Sequence, residues 1–246
     1  MKKILSFSFL IISLYLSAQV NKPKLGLPDL SNKVTEIKNN GTKVKLTNDE
    51  VIKGLREALS RGTTNSSSLA SQLDGFYKNP KIFIPWPKEA MDMRNKLVKI
   101  GLTNKIEEFE MSLNRAAEEA ALKAGAVFIQ AITNMSVQDG FAILNGADTA
   151  ATNFLRKNTY SALYESFLPI VKEAVEKVKV TSYWSPLASA YNKFPGVTKQ
   201  NPNLDEYVSN KAINGLMVLI AEEETKIRKD PAARTSELLK KVFGSK

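Results

Sequence analysis

The chain contains neither cysteine nor histidine. Without cysteine it has no disulfide framework, no thiolate nucleophile and no zinc ribbon. Without histidine it has no imidazole base, no Ser-His-Asp relay and no His-ligated metal or haem. A phosphate-binding glycine loop and a Gly-x-Ser-x-Gly elbow are missing too. Any acid–base chemistry must come from Asp, Glu, Lys or Tyr, and no cofactor is expected. Long apolar runs are scarce. Past residue 18 the best is Ala212 to Ala221, ten residues interrupted by Asn214. A membrane span needs about 20, so none is expected in the mature chain.

What is present suits a folded protein. The 246 residues are 43% hydrophobic, which argues against global disorder and fits one domain plus appendages. Met1-Lys2-Lys3 is a basic start, Ile4 to Leu16 is almost wholly apolar or Ser, and Leu16-Ser17-Ala18 ends in a small residue before Gln19. That is the layout of a secretory signal peptide over residues 1–18, cleaved near Ala18, giving a periplasmic or secreted protein. A lipid anchor of the bacterial export type would need a cysteine.

The formal charge of +10 is unevenly placed. Lys2 and Lys3 leave with the signal. Residues 19–45 hold six lysines against Asp29 and Glu36, and the rest of the chain holds 27 basic against 23 acidic groups. We therefore expect a flexible basic leader over 19–45, serving as an arm for anionic lipid or polysaccharide or simply as a solvated linker. The near-neutral body argues against a nucleic-acid partner.

From residue 46 to 246 the expectation is an all-α, single multi-helix bundle domain. Thr47 and Glu50 form a capping box, and Val51, Ile52, Leu55, Ala58 and Leu59 recur at helical spacing up to Gly62, read as a stop. A weaker helix follows over Ser66 to Leu73, then a turn at Asp74-Gly75. Residues 81–87, Lys-Ile-Phe-Ile-Pro-Trp-Pro, predict a short extended strap flanked by proline, with Ile82, Ile84 and Trp86 facing the helices. Trp86 lines a ligand pocket or is simply core. Helices follow over Lys88 to Ile100, from Thr103 as a cap through a stripe running from Ile106 to Ala131, after Ser136–Asp139, after Asp148, and over Tyr183 to Phe194. Asn203 and Glu206 resemble a second capping box for a central helix, and Asp230-Pro231 and the Leu238–Phe243 stripe close the chain.

Five stretches carry a resemblance: Asn114-Arg115-Ala116-Ala117-Glu118, Phe167-Leu168-Pro169-Ile170, Ile220-Ala221-Glu222-Glu223-Glu224, Asp230-Pro231-Ala232-Ala233-Arg234-Thr235, and the strap. Together they resemble the exported bacterial family of domain of unknown function number 4197, over about residues 46–243. Trp86 departs from that family's strap, which has a smaller aliphatic residue there. The resemblance implies a helical, exported protein and carries over no functional residues.

The candidate chemistry lies in the charged motifs. Asn114 and Glu118, and Glu224 and Arg228, are one helical turn apart. If their helices pack together, Arg115, Glu118, Glu222 and Arg234 meet in a partly buried network, with Glu223 and Arg228 beside it. That network is either a ligand site or a set of structural ion pairs. Three functions follow: a non-enzymatic binder of an apolar or amphipathic ligand, lipid or envelope partner; a carboxylate-dependent hydrolase of envelope polysaccharide using Glu118 and one of Glu222 to Glu224; or a structural or adaptor protein.

Overall fold

Helix α1 (Asn48–Ala70) starts where its caps dictate. The Thr47 hydroxyl accepts from the Glu50 amide and the Glu50 carboxylate accepts from the Thr47 amide, the reciprocal capping box. The expected stop at Gly62 is absent, and the helix runs on through the segment read as a separate weaker one. Gly62 is there for proximity. A Cβ at this position would lie 3.2 Å from the Glu223 Cβ, so its absence lets the two helices approach closely.

The computed structural model describes residues 35–39, 42–138, 140–200 and 204–244. The signal-peptide assignment and residues 19–34 lie outside them, as do Asp139 and Asn203. Within the expected leader, β1 (Thr35–Asn39) pairs antiparallel with β2 (Thr42–Leu46), Ile37 opposite Val44. The Asn40-Gly41 pair between them is a strong hairpin signal that the basic composition obscured.

The rest is an all-α multi-helix domain: α2 (Met91–Lys99), α3 (Thr103–Asn134), α4 (Gly140–Leu144), α5 (Ala150–Lys177), α6 (Val180–Tyr191), α7 (Asp205–Lys229) and α8 (Glu237–Phe243). Helix α7 packs against α1 and α5, and α3 packs against the same two. Nearly every face of α7 from Ala212 to Ile220 is buried, as its apolar composition requires. The core is continuous, from Leu46 to Phe243. Short 3-10 turns at Lys88–Ala90 and Pro231–Ala233 lead into or follow helices, and Asp230 caps the second by accepting from the Ala232 amide.

Two expected caps differ. Thr103 is the first residue of α3, after an uncapped Leu102. Helix α7 starts after Leu204, and its expected cap, Asn203, lies outside the described residues. Asp148 pairs with Lys229 and does not cap α5, whose N-terminus is capped from another helix, as described below. Pro169 sits inside α5 on its exposed side, where the carbonyl it leaves without an amide partner, that of the exposed Glu165, faces solvent.

The strap is extended from Phe83 to Pro87, while Lys81 and Ile82 close the preceding turn, the Ile82 amide donating to the Asn79 carbonyl at 3.2 Å; among the described residues no strand lies beside it. Ile82, Ile84 and Trp86 are buried and alternate with outward residues, the period-two pattern of a strand.

Candidate functional site

Helix α3 holds the strap through Asn114 and the turn that precedes it through Arg115 and Glu118. Asn114, fully buried, stands in for the missing neighbouring strand. Its Oδ1 accepts from the Ile84 amide at 2.8 Å and its Nδ2 donates to the Ile84 carbonyl at 3.0 Å. A second Nδ2 bond reaches the Glu110 carbonyl at 2.8 Å. One turn on, Glu118 Oε1 accepts from the amides of Phe76 and Tyr77 at 3.0 and 3.1 Å. Its other oxygen accepts from Arg115 Nη1 at 2.6 Å, and Arg115 Nη2 donates to Asp74 at 2.6 Å.

Asp74 has a left-handed backbone, φ 69°, at the turn that sends the chain back toward α3. Its carboxyl is held below the usual range by hydrogen bonds from Lys78 and Arg115. Burial works against the Arg115 charge, but Glu118 and Asp74 outweigh it and raise its pKa. Arg115 also lies over the Tyr77 ring, 5.5 Å from its centroid. Both oxygens of Glu118 are engaged, so this carboxylate is arranged to hold a turn in place.

A second buried cluster closes the other end of the bundle. Glu224, 1% exposed, accepts from the Ala151 amide at 2.9 Å and from both the amide and hydroxyl of Thr152 at 2.7 Å. A carboxylate from α7 thus caps the positive end of α5. Arg228, one turn away, pairs with Glu224 at 2.7 Å and donates to the carbonyls of Leu144 and Ile143 at the end of α4. Arg234 returns to the end of α7 and donates to the carbonyls of Ile227 and Arg228 at 2.9 and 2.8 Å.

The single network expected from sequence is therefore divided. No hydrogen bond or ion pair links Arg115 or Glu118 to Glu222 or Arg234 among the described residues. Glu222 pairs with Lys81 on the strap at 2.6 Å, and Glu223 binds Asn65 at 2.7 Å and Lys226. Trp86 is core. Its indole N–H donates to the Ala90 carbonyl at 2.8 Å, and its ring meets Phe109 and Trp184 at centroid distances of 4.7 and 5.5 Å. The carboxylates named for a hydrolase are each held by partners of their own, and no described cavity adjoins them. Among the described residues no three acidic side chains gather to hold a metal.

The open space lies elsewhere. A cavity of about 440 Å³ separates the C-terminal part of α3 from the middle of α5. Its apolar wall is Val127, Ala131, Met135, Ala162 and Leu163. Its polar groups include Gln130, Asn134, Asn158, Thr159 and Ser166, and no ionisable side chain lines it. Sequence reasoning missed these residues because it followed charge. The available signal was small and uncharged polar residues at helical spacing on both elements, Ala131 and Asn134 on α3 and Asn158, Ala162 and Ser166 on α5.

A family model described as "Protein of unknown function (DUF4197)" matches residues 45–244. The chain belongs to that family. The match starts at β2 and ends just after α8, so it covers the strap, both polar clusters and the cavity. The likeness first carried by short motifs thus extends over the whole helical domain. No curated protein matches this DUF4197 member, and no solved structure does. Among the described residues no helix is long and apolar enough to cross a membrane.

Proposed function

We propose that the protein is an exported, non-enzymatic carrier or sensor of a small, uncharged, amphipathic molecule, bound in the cavity between α3 and α5. The observation that carries this reading is the lining. A volume of about 440 Å³ lies within the range of small-molecule sites, and the wall combines an apolar side with amide and hydroxyl groups. It offers no acid, base or nucleophile with a shifted pKa, so it is built for binding and not for proton transfer. A charged ligand would find no counter-charge on the wall. Export rests on the Met1–Ala18 pattern.

The test is native mass spectrometry of the protein recovered from an exporting host, followed by solvent extraction. A neutral bound mass is expected, together with a raised Tm when neutral amphiphiles are added back. Ala162→Trp, which fills the cavity from α5, should abolish both while leaving the helical circular dichroism unchanged. Protein that emerges free of any bound mass and shows no Tm change across the amphiphile panel defeats the proposal.

A further inference from the structure

Helix α5 carries a second stripe on its other flank. Lys157, Tyr160, Ser161 and Tyr164 recur at helical spacing, and with Asn210 of α7 they line a shallow, open groove of about 490 Å³. This groove is separate from the cavity, whose α5 residues are Asn158, Thr159, Ala162, Leu163 and Ser166.

The groove accounts for a residue that the core does not. Asn214 is the one polar side chain in the run from Ala212 to Ala221, where an apolar residue would suit the helix. Its partners lead to the groove. Asn214 Nδ2 donates to the Tyr160 hydroxyl at 3.4 Å, Arg156 donates to Asn214 Oδ1, and the Tyr160 hydroxyl donates to Asn210 Oδ1 at 2.8 Å. Asn210 Nδ2 in turn donates to the Glu206 carbonyl at 2.9 Å. One tyrosine ring is thus pinned at its hydroxyl from two sides. The polar ends of Tyr164, Ser161 and Lys157 have no hydrogen-bond or ion-pair partner among the described residues, so they remain available to a ligand.

We propose that this groove is a saccharide-binding site for a neutral oligosaccharide. Two tyrosine rings one turn apart, each half-buried against the core, offer their remaining amphipathic surface to the C–H faces of pyranose rings. Ser161, Lys157 and the Tyr164 hydroxyl offer a mixed set of donors and acceptors matched to sugar hydroxyls, each of which both donates and accepts. Lys157 is exposed, so solvent and salt screen its charge, and the lining holds no second cation that would select an acidic sugar. The site stands whether or not the α3–α5 cavity holds a ligand.

The full chain is titrated calorimetrically with maltohexaose, cellohexaose and chitohexaose, with a galacturonate hexamer as the acidic comparator. Binding of at least one neutral hexamer, nearly independent of salt, is expected. Tyr164→Ala should weaken it by about tenfold or more. Asn214→Leu, which removes one of the two bonds that hold the Tyr160 hydroxyl but touches no sugar, should weaken it less, and both variants should keep the wild-type Tm to within a few degrees. Three results would each overturn the proposal: no neutral hexamer binds, Tyr164→Ala binds as tightly as wild type at unchanged Tm, or the galacturonate hexamer binds more tightly than any neutral one with a steep salt dependence.

Discussion

Replacing Asn114 by alanine tests whether one side chain takes the place of a β-strand. The substitution removes the acceptor for the Ile84 amide and the donor to the Ile84 carbonyl, bonds of 2.8 and 3.0 Å, at a residue with no exposed surface. The Glu110 carbonyl loses one partner as well. An orphaned buried polar group costs about 1–3 kcal/mol, so the two groups on Ile84 together cost about 2–6 kcal/mol. Against a typical total stability of about 5–15 kcal/mol, that is a large fraction. At about 2–4 °C per kcal/mol for a domain of this size, the Tm should fall by roughly 4 °C at least and by 20 °C or more at the upper end. Urea unfolding followed by tryptophan fluorescence reads the loss, because Trp86 lies two residues beyond Ile84 in the same strap. Amide exchange then locates it, and the Ile84 amide should lose protection before the amides in the middle of α1 and α7. If Asn114→Ala costs under about 1 kcal/mol and the Ile84 amide stays protected, the strap is held by packing of Ile82, Ile84 and Trp86 alone and the strand-substitute account is wrong.

Glu224→Ala strips the cap from α5 and leaves Arg228 buried without its carboxylate, a loss of about 3–5 kcal/mol by chemical denaturation. Glu224→Gln keeps an acceptor and should cost less, and equal stability of both variants with wild type would refute the capping role. The acid limb of stability follows from carboxylates whose folded pKa lies below the unfolded one: Glu50, lowered chiefly by Lys241; Asp74, lowered by Lys78 and Arg115; and Asp92, lowered by Tyr191 and Lys96. Their contribution is present above the unfolded pKa, near 4.5 for Glu and 3.8 for Asp, and is lost as pH falls through the lower folded values. With no histidine to titrate, the Tm should stay flat between about pH 5 and 8 and drop only below that window, and a fall that begins above about pH 6 would contradict the assignment. Burial, with Glu89 nearby, pushes the Tyr207 phenol from 10.0 up to about 12, so its share of stability is present below 10 and is lost as pH rises through about 12. Tyr164 and Tyr191 are also raised, by burial and by the bond to Asp92 respectively, so spectrophotometric titration should show a late tyrosine phase whose last step is Tyr207, and Tyr207→Phe, which also removes the bond to the Pro85 carbonyl, should abolish that last step.

Much of the fold was legible from residues close together in the chain. The Thr47–Glu50 box, the Asp230-Pro231 start and the helix end at Ile100, which Gly101 follows with φ 82°, are local devices whose partners lie within a turn. The strap was legible because two prolines and a period-two pattern leave little choice. Gly62 misled because a glycine permits either a helix end or a close helix crossing, and only the position of α7 decides between them. Asp148 misled in a similar way: it is well placed in sequence to cap α5, yet Glu224 takes that place from the far side of the bundle. The candidate site was legible in its residue types and not in its connections. Asn114, Arg115, Glu118, Arg228 and Arg234 are all structurally engaged, but in two separate clusters, while the cavity is lined by uncharged residues and the groove by tyrosines, Ser161, Asn210 and a single lysine, none of them in a motif.

By itself the sequence determined that this chain is a helical domain with a strap, that imidazole and thiol chemistry are excluded, and that its polar motifs lie one turn apart on the helices that bear them. Those properties depend on spacing of a few residues, which backbone geometry converts directly into a helix face or an extended segment. Tertiary structure alone decided which groups meet. Ile84 is 30 residues from Asn114, and Ala151 is 73 from Glu224. At such separations hydrogen bonding is settled by which helices pack side by side, and helix packing follows apolar stripes that leave the polar residues between them to find partners wherever the bundle places them.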